Sequence, residues 1–198
     1  MGTRNLTCVW IDGAFKVAQY GQWDGYPGGI GLDILRFLKQ TNLDAFKDAA
    51  RACRWATKEE VEATWLECGM EKGAEFVSMA ISDIHGKKYP EFSRDTAAKI
   101  LPLILKKPLA LNDKHEFAAD GLFCEWAYVI DLDAMALEVY EGFNQTPGKD
   151  HGKFAGLPER DGADKSYTAV VLAKAYKLSE LPDAEVFVKD LEHEEVEE

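Results

Sequence analysis

Between Gln22 and Gly31 the chain reads Gln-Trp-Asp-Gly-Tyr-Pro-Gly-Gly-Ile-Gly. Trp23 and Tyr26 supply flat faces for stacking, and Gln22 and Asp24 supply hydrogen bonds. Gly28, Gly29 and Gly31 would let backbone amides approach an anion at a helix start. That is the chemistry of binding. The run matches neither the P-loop nor the dinucleotide fingerprint, so the same residues also read as a connector whose glycines serve turn geometry and whose Trp23 covers the core.

Glu125 is the second residue of interest. It falls within a strand-like run on the side shared with Phe123, Ala127 and Val129, where an unpaired carboxylate would be costly if buried. Either a partner such as Arg4 on a neighbouring strand neutralises it, or that face is wet, or its acidity is shifted for acid–base work. Thr3 invites a comparison with N-terminal-nucleophile amide hydrolases, in which a freed terminal Thr supplies both nucleophile and amine base. Removing Met1 alone would expose Gly2, so that mechanism needs further trimming. No complete catalytic constellation is present, and no Gly-x-Ser-x-Gly elbow occurs. Cys8, Cys53, Cys68 and Cys124 lie far apart with no Cys-x-x-Cys pair and read as buried thiols. His85, His115, His151 and His193 lack metal-ligand spacing, so neither metal nor cofactor is expected.

The elements that must position these residues follow from local patterns. Leu6 to Ile11 and Phe15 to Tyr20 flank Asp12-Gly13, a dipeptide suited to the positive φ angles of a tight hairpin. Leu32, Leu35 and Leu38 mark a helix. From Thr41 to Leu105 the pattern is helical: Leu43, Phe46, Ala50 and Cys53 share one face, and Thr57-x-x-Glu60 is a capping box before the Val61, Trp65, Cys68 face. Val77, Ala80, Ile81 and Ile84 predict a further face. Ser93 can cap the next helix, which Pro102 should kink or stop. Leu122 to Leu132 predicts a strand with Leu122, Cys124, Trp126, Tyr128, Ile130 and Leu132 on its core side, and Ala136 to Glu141 completes a second hairpin. Phe143 to Ser166 reads as a surface loop, Tyr167 to Tyr176 as a last strand, and Ser179 to Leu191 as a terminal helix. The expectation is a single α+β domain over residues 1–191, with an antiparallel sheet of two hairpins plus a C-terminal strand covered by a central helical block, followed by an acidic tail over 192–198.

Composition bounds the partners. A 198-residue chain with 46% hydrophobic and 11% aromatic residues can bury its own core. A formal charge of −12 argues against general nucleic-acid binding, which depends on Lys and Arg neutralising phosphates. No run reaches the length of a membrane span, and a cytoplasmic protein is expected.

Met1-Gly2-Thr3-Arg4, the loop Gln22-Trp23-Asp24-Gly25-Tyr26-Pro27, the segment Ser93-Arg94-Asp95-Thr96 and the run Phe123 to Leu132 together resemble a family of uncharacterised phage and prophage proteins. The resemblance implies a phage setting in a host cytoplasm and carries over no catalytic residue. The expectation is a phage accessory protein acting by binding, with counter-defence sequestration of a host protein or small signalling ligand as its sharpest form. A homo-oligomer is a further possibility, and the alternative is the N-terminal-nucleophile hydrolase. Candidate binding residues are Gln22, Trp23, Asp24, Tyr26, Arg4 and Glu125.

Overall fold

The computed structural model describes residues 2–74, 76–158 and 162–192; the acidic run beyond Glu192 lies outside them. The chain opens with β1 (Asn5–Ile11) and β2 (Ala14–Gly21), then α1 (Leu32–Gln40) and α2 (Leu43–Ala52). A two-residue strand, β3 (Arg54–Trp55), leads into α3 (Lys58–Glu67) and α4 (Met79–Lys88). Then come α5 (Ile100–Lys106), the short β4 (Ala110–Leu111), β5 (Trp126–Asp131), β6 (Ala136–Glu141), β7 (Val171–Lys177) and α6 (Ala184–Leu191).

The α+β class follows from these elements. The main sheet has the order β2-β1-β5-β6-β7 and is antiparallel except at its centre, where β1 and β5 run parallel with Leu6 opposite Ala127 and Thr7 opposite Tyr128. The first hairpin turns on Asp12 and Gly13, with φ of 54° and 73°, as its sequence requires. A parallel junction needs a long crossover. Here the whole segment from β2 to β5 provides it, carrying α1 to α5.

Alternation along β1 and β5 sends side chains into two apolar layers. Val9, Ile11, Tyr128 and Ile130 pack with Ile34, Phe46, Ile100 and Phe187 of the helices on one face. Leu6, Cys8, Ala127 and Val129 pack with Cys124, Tyr140 and Phe154 on the other. The sheet is therefore covered on both sides.

Several local expectations are corrected. The strand begins at Trp126, not Leu122, because Gly121 to Phe123 form a turn held by bonds from the amides of Phe123 and Cys124 to the Asp120 carbonyl. Cys124 consequently belongs to the layer opposite Tyr128, and Glu125 precedes the strand. The Phe143 to Ser166 stretch is not purely surface, since Phe154 is buried in the second layer against Tyr140. Pro102 neither kinks nor stops α5. It stands third in the helix, where amides lack intrahelical acceptors and proline costs little. Ser93 does not cap α5; its hydroxyl accepts from Asp95 N at 3.2 Å in a local turn. The terminal helix begins at Ala184 and not at Ser179, with Asp183 at its cap position.

The helical block divides in two. Phe46 and Ala50 of α2 and Ile100, Leu101 and Ile104 of α5 are core residues, whereas α3 buries none of its own. The predicted Val77, Ala80, Ile81, Ile84 face is not buried: α4 turns His85 inward instead and leaves Met79 and Ile84 in solvent. The capping box forms as expected, with Glu60 N donating to Thr57 Oγ1 and Thr57 N donating to Glu60 Oε2.

Candidate functional site

The Gln22–Gly31 loop is fixed by three buried anchors. Asn5 Nδ2 donates to the Trp23 carbonyl at 3.2 Å and to the carbonyls of Gly21 and Thr3 at 3.4 Å. Tyr128 OH donates to the Gly25 carbonyl at 2.8 Å. Gly25 N donates to the Thr3 carbonyl at 3.0 Å. At Gly25 a Cβ would come within 2.7 Å of Asn5 Cβ, and at Gly29 within 2.3 Å of the Asp24 carbonyl, so these glycines permit close approach. The expected amide cradle is already used internally, since Gly29 N and Gly31 N donate to the Tyr26 carbonyl and Ile30 N donates to that of Asp24.

What remains accessible are side chains. Trp23 is 50% and Tyr26 45% exposed, and Asp24 is exposed at a φ of 54°. Trp23 Nε1 donates to Asp95 Oδ1 at 3.0 Å, tying the loop to the Ser93–Thr96 segment. That segment is also held to β2: Gln22 N donates to the Arg94 carbonyl at 3.0 Å, and Gln19 Nε2 to the Ser93 carbonyl at 2.9 Å. Backbone bonding thus presents Arg94, exposed, at the end of β2.

Tyr20 stands at the centre of what this builds. Its hydroxyl donates to Gln22 Oε1 at 2.7 Å. Burial raises its pKa, while the charges of Arg4 and Arg94 oppose that rise. Neither arginine makes an ion pair among the described residues. Arg4 lies over the Phe123 ring, 4.7 Å from its centroid, and Phe117 meets Tyr20 edge to face at 5.1 Å.

Two clefts open on either side of Tyr20. One, about 580 Å³, runs between β2, the start of α3 and the Glu91–Arg94 segment, with Trp65 and Phe92 in its wall. The other, about 570 Å³, is bounded by Arg4, Phe117 and Phe123. Lys114 lines both. Trp65 is braced by the His85 ring, stacked on it at 3.5 Å and 3°, and His85 Nε2 is bonded to Thr64 Oγ1 at 2.9 Å.

The sequence candidates are distributed as follows. Gln22 accepts from the Tyr20 hydroxyl, and Arg4 shares a cleft with Tyr20. Trp23, Asp24 and Tyr26 line another groove of about 590 Å³, which also has Arg94, Asp33, Arg36 and Lys99 in its wall. Glu125 is half-buried and accepts from the backbone amide of Arg4 at 3.2 Å, so its contact is with that backbone rather than with the guanidinium. Thr3 lies half-buried ahead of β1 with its carbonyl committed to Gly25. Sequence reasoning gave no role to Tyr20, Lys114 or Trp65. Arg94 was visible only as part of the quoted Ser-Arg-Asp-Thr segment.

All four cysteines are buried thiols. Among the described residues no group of His, Cys, Asp or Glu has the arrangement of a metal centre, and no helix is long and apolar enough to cross a membrane. No protein-family model matches the chain, and neither does any curated protein or solved structure.

Proposed function

We propose that this is a phage accessory protein that acts by binding, and that it withdraws a small anionic signalling ligand from host defence in the host cytoplasm. The observation that carries the reading is that Arg94 and Arg4 line the two clefts that share Tyr20. Two guanidinium groups, without ion-pair partners among the described residues, face aromatic-walled clefts in a chain of formal charge −12. Guanidinium groups bind phosphate and carboxylate oxygens through paired hydrogen bonds, and aromatic walls supply the apolar remainder of a small-molecule site. The phage setting rests on the resemblance of the opening residues, the Gln22–Pro27 loop and the Ser93–Thr96 segment.

A host protein is the second reading, favoured by Trp23 and Tyr26 standing half-exposed beside Arg36. Aromatic and arginine side chains of this kind anchor protein interfaces.

The experiment is phage challenge of hosts carrying defined defence systems, with the wild-type chain, Arg94→Ala and Trp23→Ala expressed at equal folded levels. The proposal predicts restored plaque formation under at least one system, abolished by Arg94→Ala and retained by Trp23→Ala. Loss with Trp23→Ala alone would favour the host-protein reading. No restoration under any system would end both.

A further inference from the structure

We propose that the ligand is a dinucleotide, its phosphate held at Tyr20 and its two bases lodged in the clefts on either side; this deepens the binding reading above and rests on it. The two clefts share Tyr20 and Lys114, so a single ligand can occupy both. Each has its own guanidinium, Arg94 in one and Arg4 in the other, and each has its own aromatic wall. At about 580 and 570 Å³ each lies within the range of small-molecule sites and is roomy enough for one base with its sugar.

The charge pattern decides against simpler anions. Alongside the cations, the first cleft carries Glu62 and Glu91, and the second carries Asp113 and Glu116. With Arg4, Lys58, Arg94 and Lys114 balanced by these four acids, the lining gives an inorganic polyphosphate no net attraction. It suits a molecule whose negative charge sits at one central point and whose ends offer hydrogen-bond donors, namely ribose hydroxyls and base amino groups. A mononucleotide satisfies one wall and leaves the other unused. Phe123, 42% exposed with Arg4 over its ring, is a large aromatic surface kept in solvent at the edge of the second cleft. Flat bases stack on such surfaces irrespective of sequence.

The test is calorimetric titration of the full chain with linear and cyclic dinucleotides of adenine and guanine, alongside AMP, GMP and inorganic pyrophosphate. The expected result is that at least one dinucleotide binds about tenfold or more tightly than its mononucleotide and than pyrophosphate. Phe123→Ala and Arg94→Ala should each weaken it by about tenfold, the scale of one stacked base or one charged contact. Phe123→Tyr should retain affinity, since it keeps the ring. A mononucleotide or pyrophosphate that binds as tightly as every dinucleotide overturns the inference, as does dinucleotide binding indifferent to both substitutions. If no nucleotide binds while Arg94→Ala still abolishes the effect in phage challenge, the dinucleotide is wrong and the binding function stands. If neither responds, both fall.

Discussion

Asn5 holds Trp23 by its backbone while Asp95 holds its indole: the side-chain amide of the first residue of β1 donates to the Trp23 carbonyl at 3.2 Å, and the half-exposed ring donates through Nε1 to Asp95 Oδ1 at 3.0 Å. The fully buried Asn5 also reaches the carbonyls of Thr3 and Gly21, so one amide sets the path of the loop that follows β2. Asn5→Ala leaves buried carbonyls without this donor and should cost about 1–3 kcal/mol in urea unfolding. An unchanged midpoint would show that the loop is held by other contacts.

Arg94 should behave in the opposite manner. Its side chain is exposed and without an ion pair among the described residues, while its carbonyl, which any residue provides, accepts the bond from Gln22 N. Arg94→Ala is expected to change stability by no more than about 0.5 kcal/mol while removing function. A loss of function that merely tracks a fallen folded fraction would make Arg94 structural.

Asp24 sits in the left-handed region at φ 54°, a conformation Asp tolerates better than Ala and Gly adopts freely. Asp24→Ala should therefore destabilise by about 1 kcal/mol and Asp24→Gly should not, as read by thermal melting. Equal effects of the two substitutions would point instead to a contact of the carboxylate.

At the other wall, Thr57 opens α3 through its capping box, and Thr57→Ala should cost about 1 kcal/mol. Because Thr57, Lys58 and Val61 line the first cleft, frayed helix ends there should also weaken ligand binding more than ligand binding is weakened by capping changes at Ser78. Affinity measured for Thr57→Ala and Ser78→Ala checks this, and equal affinities would contradict it.

Burial lowers the pKa of the His85 imidazole, which is wedged between Trp65 and Tyr89. The folded chain thus keeps the ring neutral at pH values where the unfolded chain has begun to protonate it. The stability this contributes is full above the ordinary histidine value, about 6.5, and is lost as pH falls through it toward the lower folded value. Stability should decline on acidification through that window, with a change in Trp65 fluorescence that His85→Phe abolishes. A decline undiminished in His85→Phe would assign it to other groups.

These contacts also show what a sequence can disclose. Asp12-Gly13, Thr57-x-x-Glu60 and the Leu32, Leu35, Leu38 spacing act within a few residues, and each produced the element it announced. Pairing of β1 with β5 depends on a crossover of more than a hundred residues, and nothing near Leu6 or Ala127 announces it. Cys124 and Glu125 look like strand residues because their alternation continues that of β5, and only the turn at Asp120 interrupts it. His85 lies off the apolar Val77, Ala80, Ile81, Ile84 spacing, yet it is the residue of α4 that turns inward, its flat ring stacked on Trp65. Arg4 and Gln22 stand out in the sequence, but the placing of Tyr20 beside Gln22 and in one cleft with Arg4, and the arrival of Arg94, arise from tertiary folding alone.

On the proposed reading, ligand enters at Tyr20, where the clefts that hold Arg94 and Arg4 join. Hydrogen exchange of the backbone amides, measured with and without a protein-free extract of host cells, tests it most directly. Slowed exchange is expected, centred on Tyr20 to Gln22 and Phe92 to Arg94 and absent from the Arg4→Ala, Arg94→Ala double variant. Protection centred elsewhere, or unchanged in the double variant, would contradict it.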